Sequence, residues 1–441
     1  MDVDPYLPTV FSDIFVHSWQ KSGIGELILA MEMRFDAPLN EQVLARAADL
    51  ILDAEPVLGC RLNPRAPRWE RLPADRRKVL TMTESRSVYA RFRHSGLDAG
   101  AGPQLAICLG RFDDGDQMII KLTHEVADGA ALKDVAYRLS EIYTTLSNGG
   151  EYEFVPNTAG RRDLGQVIQH IPKRAYPGLI WSLFLLGLRL SRPGAQRLPS
   201  TTLRNSPWSY TLRRLSPESV ATLVEYGRAR KATLNDVILA ACYRALALVS
   251  DWNQKQLLRI PITVDLRRWY LPSGRAGGIC NLSSSEYPFL ERNLGRDYEA
   301  TLRNVTKVTS RAKGRWPGIG GLYTWLTLRK LPFQKLLQAP PAQNRKSSAW
   351  YTPLQFTNFG PIEAGNVRFG KAPVTAHILP PRLALPAVLV GLSGYEGTLT
   401  LSAGCSDEAM PVVDRFLDEV LRALPGAPAS SPHEADALAS G

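Results

Sequence analysis

The run His124-Glu125-Val126-Ala127-Asp128-Gly129 is where residue types and spacing in this chain converge on chemistry. An imidazole with an ordinary pKa of about 6.5 can take a proton from a hydroxyl or an amine at neutral pH, which is the task of a general base. An acidic residue follows four positions on, and then a glycine, which permits backbone geometries that other residues resist. Chance gives His-x-x-x-Asp-Gly on the order of 0.03 times in a chain of this length and average composition. A histidine beside a core strand is more often structural than catalytic, so the motif needs its context. Met118-Ile119-Ile120-Lys121-Leu122 reads as a buried strand, and Leu132, Val135, Leu139, Ile142 and Leu146 recur at helical spacing. His124 therefore falls on a strand-to-helix turn, a common way to present a reactive side chain from a rigid scaffold. His17, His94, His170, His377 and His433 have no comparable context and are read as non-catalytic.

The elements that must position this turn are legible around it. Residues Glu26–Phe35 alternate as a strand does, and Asn40 can cap a helix that carries Val43, Leu44, Ala47, Leu50 and Ile51 on one face and stops at Glu55-Pro56. Leu105–Phe112 and Gln117–Leu122, separated by Asp113-Asp114-Gly115-Asp116, form a hairpin pattern. The helix after His124 ends at Ser147-Asn148-Gly149-Gly150. Residues 151–205 hold scattered prolines, basic residues and one short apolar run, and read as a crossover linker. The grammar then repeats. Trp208–Leu215 is strand-like, and Ser216-Pro217-Glu218 starts a helix with proline at its first position. Leu234-Asn235-Asp236 opens another helix through Ser250; strands follow at Leu258–Val264, Ala387–Leu392 and Leu399–Ala403, and a last helix at Met410–Leu424.

Length and composition bound the rest. A single core stops growing near ~250–300 residues, so a chain of 441 residues is expected to form two lobes. With 44% hydrophobic and 22% charged residues it has an ordinary globular composition. The net charge of +11 suits an acidic or phosphate-bearing partner or a generally basic surface. The basic residues are dispersed and accompany no nucleic-acid motif, so no nucleic-acid partner is expected. Cys60, Cys108, Cys242, Cys280 and Cys405 are odd in number and far apart, which argues against a disulfide framework and against a zinc site, and fits a reducing cytoplasm. No metal site is expected. Gly318-Ile319-Gly320-Gly321 is too weak a pattern for a nucleotide site. The N-terminus lacks the basic and then apolar regions of a signal peptide. The most apolar stretch, Gly178–Leu190, is shorter than the ~20 residues a spanning helix needs.

The motif segment resembles the His-His-x-x-x-Asp-Gly signature of the CoA-dependent acyltransferase superfamily. That group includes chloramphenicol acetyltransferase, nonribosomal-peptide condensation domains, wax ester synthases and the polyketide-associated acyltransferases. Other stretches resemble the family in the same order: Phe11–Phe15, Asp53–Leu62, Thr233–Ala241, Pro261–Arg267 with Gly278 to Asn281, and Thr357-Asn358-Phe359-Gly360-Pro361. Together they cover about residues 10–425.

The resemblance implies an α/β (α+β) fold of two chloramphenicol-acetyltransferase-like lobes, each with a mostly β core and flanking helices, with the active-site channel between them. Residues 1–160 would form the N-terminal lobe, 161–205 the crossover, 206–425 the C-terminal lobe and 426–441 a disordered tail. It implies that His124 deprotonates a hydroxyl or amine acceptor, which attacks an acyl thioester directly without an acyl-enzyme. Asp128, with Gly129, would hold the loop through an ion pair for which Arg267 is the candidate. Thr357 and Asn358 are candidates to line the channel or stabilise an oxyanion, against the plainer reading of a strand-end turn. Thr123 stands where the family has its first histidine and is placed with that channel group. Asn281 and Asn235 read as turn or cap residues. The donor would be acyl-CoA or an acyl-phosphopantetheine carrier, used as co-substrate with no tightly bound cofactor.

Two alternatives stay open: a free-standing condensation enzyme joining carrier-bound substrates, and a catalytically silent homologue serving as a binding module. Two basic-apolar stretches, Lys173–Arg192 and Arg311–Lys335, fit either peripheral membrane contact or ordinary helix packing.

Overall fold

Leu105–Phe112 and Gly115–Thr123 pair antiparallel across a tight turn, with Ile107 opposite Ile120 and Leu109 opposite Met118 in the core. The computed structural model describes residues 5–190, 207–250, 258–290, 294–313, 316–318, 354–384 and 387–426, with the single positions 198, 252 and 335. Most of the Arg311–Lys335 stretch, the later part of the crossover and nearly all of the 426–441 tail lie outside the described residues.

The hairpin forms the middle of a five-stranded sheet. Ile28–Arg34 pairs antiparallel with Gly115–Thr123 on one side, and Leu80–Thr83 pairs parallel with Leu105–Phe112 on the other. The helices Glu41–Ala54 and Gly129–Ser147 cover this sheet and bury Leu44, Ile51, Leu132, Val135 and Leu139 against it. Each helix starts where a side chain can satisfy an orphaned first-turn N–H: Asn40 Oδ1 accepts from Val43 N at 3.1 Å, and Asp128 Oδ1 from Ala131 N at 3.0 Å.

Among the described residues the second large sheet has eight strands. Ser283–Glu286, Ile262–Asp265, Leu354–Pro361, Val388–Tyr395 and Thr398–Ser406 follow one another across it, and Trp208–Leu215 pairs along Thr398–Ser406. The helices Leu234–Val249, Tyr298–Lys313 and Met410–Ala423 close a second apolar core around Val237, Leu239, Phe356, Val390 and Phe416. Thr233 and Asp236 cap the first of these helices reciprocally. The single strand expected over Leu258–Val264 is two pieces. Leu258–Arg259 pairs with Phe289–Leu290, whereas Ile262–Asp265 joins the large sheet. Pro261 stands between them and has no N–H for a ladder.

Each half of the chain lends a strand to the other. Thr375–Leu379 adds to the five-stranded sheet beside Ile28–Arg34, and Gly25–Glu26 pairs with Arg382–Leu383 in the eight-stranded one. The second junction is tight, because a Cβ added at Gly25 would sit 2.1 Å from Arg382 O. Arg162 adds a third tie. Its guanidinium donates to both carboxylate oxygens of the buried Asp13 at 3.0 Å, and its Nε donates to Ile279 O at 2.7 Å. The segment around 277–283 is thereby held against the N-terminal helix Phe11–Lys21. Among the described residues no single helix is long and apolar enough to cross a bilayer.

Candidate active site

His124 leaves the end of Gly115–Thr123, a strand hydrogen-bonded on both edges, so its backbone is fixed by the sheet. Its N–H donates to Leu27 O at 2.9 Å, one residue before Ile28–Arg34 begins. The imidazole is half-buried, and Nδ1 lies 2.7 Å from Ala127 O. A carbonyl only accepts, so Nδ1 carries the proton and Nε2 keeps the lone pair. Asn281 Nδ2 also approaches Nδ1, at 3.4 Å. Asn281 Oδ1 is occupied by Ser283 N at 3.1 Å and Ser283 Oγ at 2.8 Å, which sets the amide with its NH₂ toward the ring. Two donors facing each other at that distance make no bond of weight, so the shorter carbonyl contact decides the tautomer.

Asp128 is buried and serves three partners. Oδ1 caps the motif helix, and Oδ2 accepts from Arg267 Nη1 at 2.7 Å and from Leu282 N at 2.7 Å. Burial by itself would push this carboxyl up; the Arg267 charge, with the hydrogen bonds from Arg267, Ala131 N and Leu282 N, outweighs it and holds the group below the usual carboxylate range. Arg267 is itself held by Asp265 Oδ1 at 3.2 Å and Cys280 O at 2.8 Å. Burial disfavours its charge, but the adjacent Asp128 more than compensates and raises its pKa. The contact to Leu282 N draws residues 281–283 to the motif turn and so places Asn281 beside His124. The sequence alone reads Asn281 as a turn or cap residue; the signal for its place is the Gly278 to Asn281 stretch that resembles a family segment.

Gly129 opens the motif helix with ordinary helical backbone, so conformational freedom is not its reason. An added Cβ would lie 2.3 Å from Phe359 Cδ1. The same ring would meet a Cβ at Gly391, at 2.8 Å from Cε2, so Phe359 sits between a motif glycine and a glycine of Val388–Tyr395. Lys133, one turn further along the same helix, fastens the strand by donating from Nζ to Phe359 O at 2.7 Å and Pro361 O at 3.2 Å.

Thr357 is buried opposite Gly391 in the sheet. Asn358 is exposed at a bulge, where its Oδ1 accepts from Gly360 N at 2.8 Å and its Nδ2 donates to Asn235 Oδ1 at 3.3 Å. Those contacts are those of a turn-forming side chain. The resemblance places Thr123 with the channel, but its hydroxyl donates to Gln104 Oε1 at 2.5 Å and is buried. Gln104 Nε2 in turn donates to the carbonyls of Cys60, Ala99 and Gly102. Alternation explains the difference: consecutive residues leaving a strand point to opposite faces, so Thr123 turns inward when His124 turns outward. Glu125, also buried, meets the buried His17, with His17 Nδ1 at 3.2 Å from Glu125 Oε1.

All five cysteines are buried and unpaired. Burial pushes the thiols of Cys60, Cys242, Cys280 and Cys405 up to about 12 and Cys108 up to about 11, so none is poised as a nucleophile. Among the described residues no group of three or more His, Cys, Asp or Glu side chains is placed to hold a metal. A surface cavity of about 340 Å³ lies between Leu234–Val249 and Met410–Ala423, lined by Arg244, Leu248, Glu419 and Arg422, and shares no residue with the His124 turn.

No protein-family profile matches the chain. It is 23% identical over 238 residues to bacitracin synthase 3 of Bacillus licheniformis, which covers 52% of this chain and 4% of that protein. Solved structures resemble it over nearly its whole length. Polyketide synthase associated protein 5 from Mycobacterium tuberculosis matches with TM-score 0.65 and 16% identity over 93% of this chain and 98% of that one. A trichothecene 15-O-acetyltransferase from Fusarium sporotrichioides matches with TM-score 0.67 and 13% identity over 94% of each. The first condensation domain of the calcium-dependent antibiotic synthetase matches with TM-score 0.66 and 14% identity over 97% of this chain and 98% of that one. A nonribosomal peptide synthetase matches with TM-score 0.66, and there the chain spans 45% of the partner's length. The chain therefore has the mixed α/β fold of these solved structures, a condensation domain and an acetyltransferase among them.

Proposed function

We propose that this protein is an acyltransferase in which His124 is the general base. The observation that carries the reading is the 2.7 Å contact from His124 Nδ1 to Ala127 O, which leaves Nε2 as the acceptor on a half-buried ring. An acceptor O–H or N–H gives its proton to Nε2 as its heteroatom attacks the thioester carbonyl. The tetrahedral oxyanion then collapses, the C–S bond breaks, and the imidazolium returns the proton to the leaving thiolate. The products are an ester or amide and a free thiol, and no covalent enzyme intermediate is required. Asp128 and Arg267 keep the turn in place and take no part in proton transfer.

The donor is a thioester of CoA or of a phosphopantetheine carrier. A net charge of +11 suits either anionic donor. The match to bacitracin synthase 3 favours a second reading, a condensation enzyme that joins carrier-bound substrates. One assay separates these readings from a silent binding module: thiol release from a panel of acyl-CoAs, and from the same acyl groups on a carrier protein, with and without hydroxyl and amine acceptors. Acceptor-dependent thiol release supports acyl transfer. Use of the carrier-bound form that weakens as salt rises supports docking through the basic surface. No acceptor-dependent release from any donor overturns the enzymatic reading.

A further inference from the structure

We propose that the helix Tyr176–Leu190 is a docking element for an anionic lipid surface. It lies in the crossover between the two sheets, and among its described side chains only Leu179 is buried. Leu179 packs into a small cluster with Val167, Ile171, Leu266 and Tyr270 and so pins one side of the helix to the body of the protein. The other side carries exposed apolar side chains. Ile180, Trp181, Phe184, Leu185 and Leu188 are 66%, 61%, 55%, 41% and 51% exposed. At 100° per residue these five positions form one stripe roughly 140° wide, opposite Leu179. Trp181 and Phe184 stack with ring centroids 5.6 Å apart, so the stripe presents a joined aromatic plate. A contiguous exposed face of this kind marks an interaction site more often than plain surface.

Charge selects the partner. Residues 164–206 hold six basic residues, one Lys and five Arg, and no acidic residue occurs between Asp163 and Glu218. Lys173 and Arg174 are exposed immediately before the helix. An apolar stripe with tryptophan and phenylalanine in an acid-free, basic segment is the composition of a helix that lies in the plane of a bilayer interface. Anionic headgroups would meet the basic residues, and the stripe would enter the acyl boundary. The helix has 15 residues, about 22 Å at 1.5 Å per residue, against a hydrocarbon core of ~30 Å, so it lies on the membrane and does not span it. This inference is independent of the acyl-transfer reading, because its readout is lipid binding.

The test is co-sedimentation of the full chain with phosphatidylcholine vesicles that contain or lack phosphatidylglycerol. Fluorescence quenching by lipids brominated in the acyl chain is measured alongside. The wild type should bind only the anionic vesicles and lose binding as salt rises. Trp181→Ser combined with Phe184→Ser should weaken binding at least about tenfold and reduce quenching, with an unchanged melting temperature because both side chains are exposed. Lys173→Ala and Arg174→Ala should each weaken it about fivefold. Absence of binding to phosphatidylglycerol vesicles overturns the proposal, as does equal binding by the aromatic variant. A wild type that is dimeric in solution and becomes monomeric in the aromatic variant, without lipid binding, assigns the face to a second copy and also overturns it.

Discussion

Arg267 Nη1 donates to Asp128 Oδ2 at 2.7 Å across 139 residues of chain, with both side chains buried. This pair joins the turn that carries His124 to the strand-helix junction at Ile262–Asp265 and Leu266–Tyr270. Asp128 Oδ2 also accepts from Leu282 N, so one carboxylate oxygen organises two separate segments of the second half around the histidine.

Removing one partner of such a pair strands the other charge. Asp128→Ala should lower stability by about 3–5 kcal/mol, read by denaturant or thermal unfolding. Asp128→Asn removes the charge and keeps an oxygen to cap Ala131, while its NH₂ replaces the oxygen that accepts from Arg267 Nη1 and Leu282 N. The Asp128 carboxyl is held below its usual range in the folded state, so the unfolded chain binds the proton first as pH falls. Its stabilising contribution is complete above the unfolded value of about 3.9 and is lost as pH falls through the lower folded value. The stability gap between wild type and Asp128→Asn should therefore be level near neutrality and close in acid. A gap that widens in acid would contradict the ion pair.

The His124 ring is half-buried and its short contact is to Ala127 O, three residues on, so His124→Ala should fold normally. Thiol release should drop by about 10²–10⁴-fold, the usual worth of a general base. A turnover near that of the wild type would remove His124 from the mechanism.

Gly129→Ala places a methyl 2.3 Å from the Phe359 ring. Overpacking of this kind costs about 1–3 kcal/mol. Phe359→Leu should relieve part of that cost, so the double variant should be more stable than the two single effects added together. Strict additivity would show that the ring does not set the requirement for glycine.

Thr123→Val removes the donor to Gln104 Oε1 and leaves that oxygen buried without it. The expected loss is about 1–3 kcal/mol of stability, with turnover per folded molecule unchanged. Reduced turnover at an unchanged melting temperature would instead return the hydroxyl to the channel, where the motif resemblance had placed it.

The sequence by itself determined the local pieces. The hairpin ahead of His124, the helix after it, and the helix starts at Asn40 and Ser216 are written in periodicity and capping residues, whose interactions close within about four positions. The His124 turn was legible for the same reason: it lies between a period of 2 and a period of 3.6. Tertiary structure decided the rest. Periodicity cannot name Leu282 as a partner of Asp128, because it lies 154 residues away, and Arg267, 139 residues away, is offered only by the family resemblance. Nor can it tell that Gly129 makes room for Phe359, or that Thr375–Leu379 and Gly25–Glu26 cross between sheets. Asn281 reads locally as a turn residue and reaches His124 because Asp128, Arg267 and Arg162 hold Leu282 N, Cys280 O and Ile279 O. These contacts depend on where packed sheets bring distant backbone together, and that placement is fixed by burial of both cores at once, which no local window of residues encodes.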